Sequence, residues 1–540
     1  MHLMFRTLTL LIFIVITFSC GSRQAREHKV LRYNQPNHIT SLDPAFAKSQ
    51  NNIWSVLHLF DGLVELDDSL NVSPAIAKSW LISEDGLDYT FYLREDVYFH
   101  ENDCFSNGSR KVVASDFEYS LTRLIDSKIS SPGSWLFTDK IREKRPFEAI
   151  DDTTFVLHLT RPFIPMLGIL TMQYCAVVPQ EGITYYGSDF AQNPVGTGAF
   201  KFKKWIANQA LFLNRNDNYY KGPSKLEGIK TSFMADKKIA MLELLNGNID
   251  FVNGLESSFI NELLDKNGVL LSEKENQLKL SKSPYLNSEY LGINLEACSP
   301  NSPLRIKEVR QAINYAIDRK LMLTALRNNV GQPADSGFVP TGLPSHDKES
   351  VPGYEYNLQK AKTLLLEAGY PDGNGLEAIA LYTNKDYLDI TTFVARQLQK
   401  IGLLVTIEVL ESAILRDGMR KGSIPFFRGS WIADYPDAES FLCMYYSKNP
   451  APPNYTRFSN ENFDNLYEQS IKETDITKRY ELYQTMDRIL VDEAPVIFLF
   501  YDEASRFHSP QLKGVSENGL NLLKAWQLEL DDISPSLPNK

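Results

Sequence analysis

With 540 residues the chain is several times longer than a typical single domain of about 150 residues, so it should divide into two or three packed lobes. Apolar residues at 43% and charged residues at 23% are ordinary for a water-soluble body and exclude a mainly disordered or multi-span membrane chain. The 56 Lys and Arg against 67 Asp and Glu leave a net charge of −11, which repels phosphate backbones, so no nucleic-acid partner is expected.

Met1 to Cys20 has the layout of an export signal: one early cation, Arg6, an apolar run from Thr7 to Phe18, and the small residue Ser19 ahead of Cys20. The run is short for a bilayer span. A cleaved signal or a weak anchor is the simpler reading. A cysteine directly after a small residue at the end of such a run also resembles the lipobox of bacterial lipoproteins, in which residues 1–19 are removed and the thiol is acylated. Cys20 is then the lipidation site, and its acyl chains hold a soluble body on a membrane outside the cytoplasm, at the periplasmic or extracellular face. Without Cys20, four cysteines remain: Cys104, Cys175, Cys298 and Cys443. An even number in an oxidising compartment allows two disulfides, in any of three pairings.

Beyond Val30, short strands alternate with helices. Ala77 to His100 reads as a helix end, a turn at Asp85 and Gly86, and a strand alternating Leu87, Tyr89, Phe91 and Leu93. The Pro/Gly punctuation at Asn193–Gly198 and Gly331–Pro352 marks crossings or long loops, with Gly196 and Gly198 permitting a tight turn at positive φ. Val309, Ala312, Ile313, Ala316 and Ile317 make one apolar helical stripe. A helix over Leu358–Ala368 should stop at Gly369, with Pro371 beyond it. Leu403, Val405, Ile407 and Val409 recur every second residue, as in a strand with one deeper face. The continuous apolar run Val496–Tyr501 fits a strand covered on both faces. Mixed α/β lobes follow.

Enzyme signatures are missing. The sequence has no GxSxG elbow, GxxxxGK[ST] loop, HExxH helix or GxGxxG turn. Its eight histidines are scattered with no pair at ligand spacing, so neither a metal nor a cofactor is expected. Asp67 with Asp68 and Asp151 with Asp152 read as solvated surface. The chain is expected to bind rather than catalyse.

Eight segments, in order, then carry a resemblance. AKSWLISEDGLDYTFYLREDVYFH (77–100) resembles the signature of the family 5 extracellular solute-binding proteins, the oligopeptide and dipeptide receptors of ABC importers. NPVGTGAFKFKKW (193–205) with LNRNDNYYKG (213–222), LLNGNIDF (244–251), EVRQAINYAIDR (308–319), AKTLLLEAGYPDGNG (361–375), WIADYPDAESFL (431–442) and FSNENFDNLY (458–467) are similar to that family's wording in the same register. The resemblance implies the α/β type II periplasmic-binding-protein fold: two lobes in three domains around a central ligand cleft. Domain I is then expected from 27–61, 184–284 and 502–540, domain II from 62–183, and domain III from 285–501. Ligand binding closes such lobes about a hinge made where the chain crosses between them.

A receptor for many peptides must hold their constant parts, the backbone and the two charged ends. The resemblance places Asp434 where the family's receptors bind the ligand α-ammonium, although Asp before Tyr435 and Pro436 also reads as a turn residue. It places Trp431 at the cleft, against a core role, and Arg428 at the peptide carboxylate, against an exposed cation beside Arg420 and Lys421. Arg420 is a further candidate for ligands of other lengths. The segment Lys48, Ser49 and Gln50 matches the domain I stretch that bonds the peptide backbone. The implied protein is a monomeric, lipid-anchored substrate-binding subunit that captures short peptides and delivers them to the transmembrane subunits of an ABC permease. The alternatives are the same fold holding a nickel chelate, haem, a sugar or a signalling peptide, an envelope hydrolase, or a chaperone-like holder.

Overall fold

The computed structural model describes residues 29–254 and 259–531. Cys20 and the expected acylation lie outside them. The strand Asp88–Leu93 buries Tyr89, Phe91 and Leu93 completely and turns the alternate side chains outward, the two-residue period of a half-covered sheet. Its partner Ala77–Ile82 is a strand rather than the expected helix end. It closes an antiparallel hairpin through Ser83–Gly86, with Trp80 opposite Phe91 and Gly86 at φ +69°. Thr154–His158 and Phe147–Asp151 complete this four-stranded antiparallel sheet.

The main scaffold is an eleven-stranded mixed sheet. One half carries Val30–Asn34 between Gly228–Ser232 and Phe251–Asn253, both parallel to it, with Ala210–Arg215 and Phe200–Ile206 beyond. The other half carries Phe426–Ile432, Ile379–Thr383 and, at the edge, Val405–Val409. Two long antiparallel strands, Lys279–Ile293 and Val496–His508, run through both halves. Their register breaks between Pro284 and Ser288, opposite Glu503 and Tyr501, a bulge that bends the sheet where the halves meet.

Most of the expected helices and strands form. Lys307–Ala316 buries Val309, Ala312, Ile313 and Ala316. Leu358–Glu367 ends before Gly369 at φ +90°, whose left-handed turn returns the Tyr370 N–H to the Leu365 carbonyl at 2.7 Å. Val496–Tyr501 is fully buried. Val405–Val409 is an edge strand, so its apolar face is only partly covered.

Two expectations are corrected. Gly196 and Gly198 are not at positive φ. A Cβ on Gly196 would stand 2.0 Å from the Leu59 carbonyl oxygen and one on Gly198 2.6 Å from that of His58, so glycine serves close backbone approach. The Gly198 N–H donates to the Leu59 carbonyl at 2.9 Å and ties this loop to the end of the helix Gln50–Leu59. The two disulfides are not formed: Cys104, Cys175, Cys298 and Cys443 are free thiols. Cys298 belongs to a different core from Cys175, and the Cys175 and Cys443 thiols turn to the carbonyls of Ile169 and Ser440. Among the described residues no helix is long and apolar enough to cross a membrane, and no three His, Cys, Asp or Glu are grouped to hold a metal ion.

Candidate ligand cleft

Five distant parts of the chain meet around a cavity of about 270 Å³. The start of the helix Gln50–Leu59 supplies Lys48, Gln50 and Trp54, Thr171–Tyr174 forms a second wall, and Tyr285 with Ile432–Asp434 a third. Leu520 and Leu522 close the floor, where the Trp54 indole N–H donates to the Asn521 carbonyl at 3.0 Å. The Gln173 side chain donates to the Ala47 carbonyl at 2.7 Å and joins the second wall to the first.

Asp434 is positioned by its backbone. The strand Phe426–Ile432 pairs Ile432 with Asn287, and the next N–H, of Ala433, donates to Leu286 at 2.8 Å. The Asp434 N–H then donates to Ser440 Oγ at 3.1 Å, while the Trp431 indole donates to the Ser440 carbonyl at 2.6 Å. With the main chain fixed on both sides, the carboxylate projects into the cavity with no hydrogen bond or ion pair among the described residues. Water still reaches it, yet protein surrounds it. That loss of hydration, with Glu439 nearby, raises its carboxyl to about 6. Glu439 is buried, accepts hydrogen bonds from the Tyr435 and Tyr467 hydroxyls, and is itself pushed upward by burial.

The other expected site residues lie as follows. Gln50 lines the cavity with Asp434. Ser49 caps the helix from an exposed position, its hydroxyl making no cap bond. Trp431 packs half-buried against the core beside the cavity. Arg428 does not line it. Its guanidinium is buried, ion-paired with Glu289 and set over the Tyr387 ring, so its charge is already neutralised within the protein. Arg420 is exposed on the helix Ser412–Lys421 and pairs with Asp417 at 2.6 Å, away from the cavity. Lys48, named with Ser49 and Gln50 in the domain I segment, also lines it, and Gln173, Tyr174 and Tyr285 join the site without any local motif to announce them.

A larger groove, about 750 Å³, lies around Arg110 and Glu181, whose charges pair with each other at 2.6 Å. The smaller cavity is distinguished by convergence of five separate segments on a carboxylate without an ion-pair partner among the described residues, the arrangement expected of a binding site.

Residues 71–453 match the family model described as bacterial extracellular solute-binding proteins, family 5 Middle. Heme-binding protein A of Haemophilus influenzae is 28% identical over 482 residues, 84% of each chain. The solved structure of HbpA2 from Haemophilus parasuis superposes with a TM-score of 0.82 at 25% identity, covering 93% of this chain and 100% of that one. The periplasmic binding protein DppA from Helicobacter pylori, solved in complex with the peptide STSA, gives 0.76 at 26% identity, covering 93% and 98%.

Proposed function

Because the chain belongs to the bacterial extracellular solute-binding proteins of family 5, we propose that its cleft captures short peptides and that Asp434 receives their α-ammonium group. Proteins of this family work in the periplasm or at the extracellular face and bind solutes for delivery to ABC permeases, and this chain is such a substrate-binding protein with the type II periplasmic-binding fold. The observation that carries the peptide reading is the Asp434 carboxylate, without an ion-pair partner among the described residues, in a cavity lined otherwise by apolar, amide and hydroxyl side chains and by Lys48. Enclosing that charge without a cation is costly, and a peptide ammonium supplies one. At about 270 Å³ the cavity lies at the small end of ligand pockets, which favours a short peptide.

Closure is proposed to hinge on the paired strands Lys279–Ile293 and Val496–His508, whose register break coincides with the domain limits 284/285 and 501/502. The permease would then distinguish loaded from empty protein by the closed population. A monomer held to the membrane through lipid on Cys20 completes the proposal.

Identification of co-purifying molecules by native mass spectrometry, followed by titration with free and N-acetylated forms of one peptide, tests the reading. A large loss on acetylation is expected, and equal affinities would remove Asp434 from its role. Similarity to heme-binding protein A favours a second reading, supported by Met172, Tyr174 and Tyr285 on the wall, residue types that include haem ligands. A porphyrin needs a more open cleft than this one. Haemin titration followed at the Soret band decides between them: a saturable shift that peptide does not displace would favour haem.

A further inference from the structure

Lys48 and Asp434 are the two charged residues that line the cavity, and they come to it from segments far apart in the chain. Neither side chain has an ion-pair partner among the described residues, whereas the neighbouring cations are committed: Arg428 to Glu289 and Lys524 to Asp68 and the Leu66 carbonyl. A cavity that offers one free anion and one free cation is complementary to a ligand carrying both charges at separate ends. We propose that Lys48 holds the carboxylate end of the ligand, so that the substrates are small zwitterions, unblocked at both termini. The inference rests on the peptide reading above and names the residue that takes the place Arg428 leaves vacant. An ammonium on a flexible four-carbon stem can follow the carboxylate of ligands that differ in length, which a rigid, stacked guanidinium cannot.

Calorimetric titration of the dialysed protein with dialanine, dialanine amide and N-acetyl-dialanine tests it in the wild type and in Lys48→Met, Lys48→Arg and Asp434→Asn. Lys48 is exposed, so its replacement leaves the fold intact. In the wild type, amidation should weaken binding by about tenfold or more, the value of one charge-assisted hydrogen bond. Lys48→Met should bind acid and amide within about twofold of each other while still rejecting the acetylated form, and Lys48→Arg should restore the preference. A wild-type protein indifferent to amidation, or a Lys48→Met protein that keeps the full preference, overturns the role of Lys48. Indifference of the wild type to acetylation, or no binding of dialanine at millimolar concentration, instead overturns the peptide reading itself.

Discussion

Glu289 and Arg428 form an ion pair across neighbouring strands, with side chains only 5% and 9% exposed. Burial raises the Glu289 carboxyl, and Arg428 opposes that rise, so each charge depends on the other. Glu289→Ala strands a buried guanidinium and should cost about 3–5 kcal/mol of stability in urea unfolding. Glu289→Leu with Arg428→Met should recover most of this, less about 1–3 kcal/mol for the Asn287 amide that then loses its acceptor. A single variant within about 1 kcal/mol of wild type would mean that the pair is hydrated and that Arg428 is available to ligand after all.

Binding should depend on pH through Asp434. Only the ionised carboxylate attracts an ammonium, and in the empty cleft partial loss of hydration, with Glu439 nearby, holds that carboxyl at about 6. Dialanine affinity is expected to be greatest near pH 7, to fall toward tenfold per unit below about 6 as Asp434 is protonated, and to fall again above about 8 as the ligand α-amino group loses its proton. The sign for the empty protein is opposite. A raised carboxyl binds its proton more tightly in the native state, so the contribution of Asp434 to stability declines as pH rises from its unfolded value of 3.8 through about 6. Titration calorimetry at pH 5 and pH 7 checks the first statement. Affinity that does not change between them would place the ammonium elsewhere.

The fold was legible where one local rule decided the outcome. The stripe of Val309, Ala312, Ile313 and Ala316 and the Gly369 stop need only helical geometry, and both form as read. Ala77–Ile82 was misread as a helix end because its pairing with Asp88–Leu93 lies in the tertiary structure, while its own exposed Lys78, Ser79, Leu81 and Ile82 give no clean alternation.

Gly196 shows the same limit, since no pattern in the sequence announces the carbonyl of Leu59 lying against it. Gly196→Ala should shift the loop or the end of the helix Gln50–Leu59, because its methyl would meet that oxygen at 2.0 Å. A loss of roughly 2–4 kcal/mol, of the order seen for overpacking and backbone strain, is expected. The His100 N–H bond to the Gly196 carbonyl, 2.7 Å, should weaken with it. Thermal unfolding together with exchange of the His100 amide measures both, and an unchanged midpoint would show that the loop yields freely.

The cleft was half legible. Asp434 stands in a seven-residue run, WIADYPD, whose wording carries its position, and Gln50 follows from the order of segments. Tyr174 and Tyr285 reach the cavity only because the second wall folds over the first and the register breaks after Pro284. Arg428 was misjudged because its partner Glu289 lies on a strand far away in sequence, and only the antiparallel pairing of Leu291 with Arg428 and of Glu289 with Ser430 brings the two charges together.

Asp487 supplies the last expectation. It is buried on the helix Ile476–Glu493 and accepts the Phe338 and Val339 N–H groups at 2.6 and 3.2 Å, anchoring the Gly331–Pro352 connection that covers the long strands. Loss of hydration outweighs these two bonds and raises its carboxyl from 3.8 to about 7. The native state therefore holds a proton that the unfolded chain has released, and stability from this group should fall as pH rises from about 4 to about 7, by a quantity on the order of 4 kcal/mol. Asp487→Asn abolishes the titration at the cost of turning an amide donor toward one backbone N–H. The variant should thus be the less stable protein near pH 4, and its deficit should shrink, or reverse, by pH 8 as the wild-type carboxylate pays its ionisation. Urea midpoints for both proteins across that range measure the difference, and a deficit that stays constant with pH would show that Asp487 is ionised throughout and held by the two N–H groups alone.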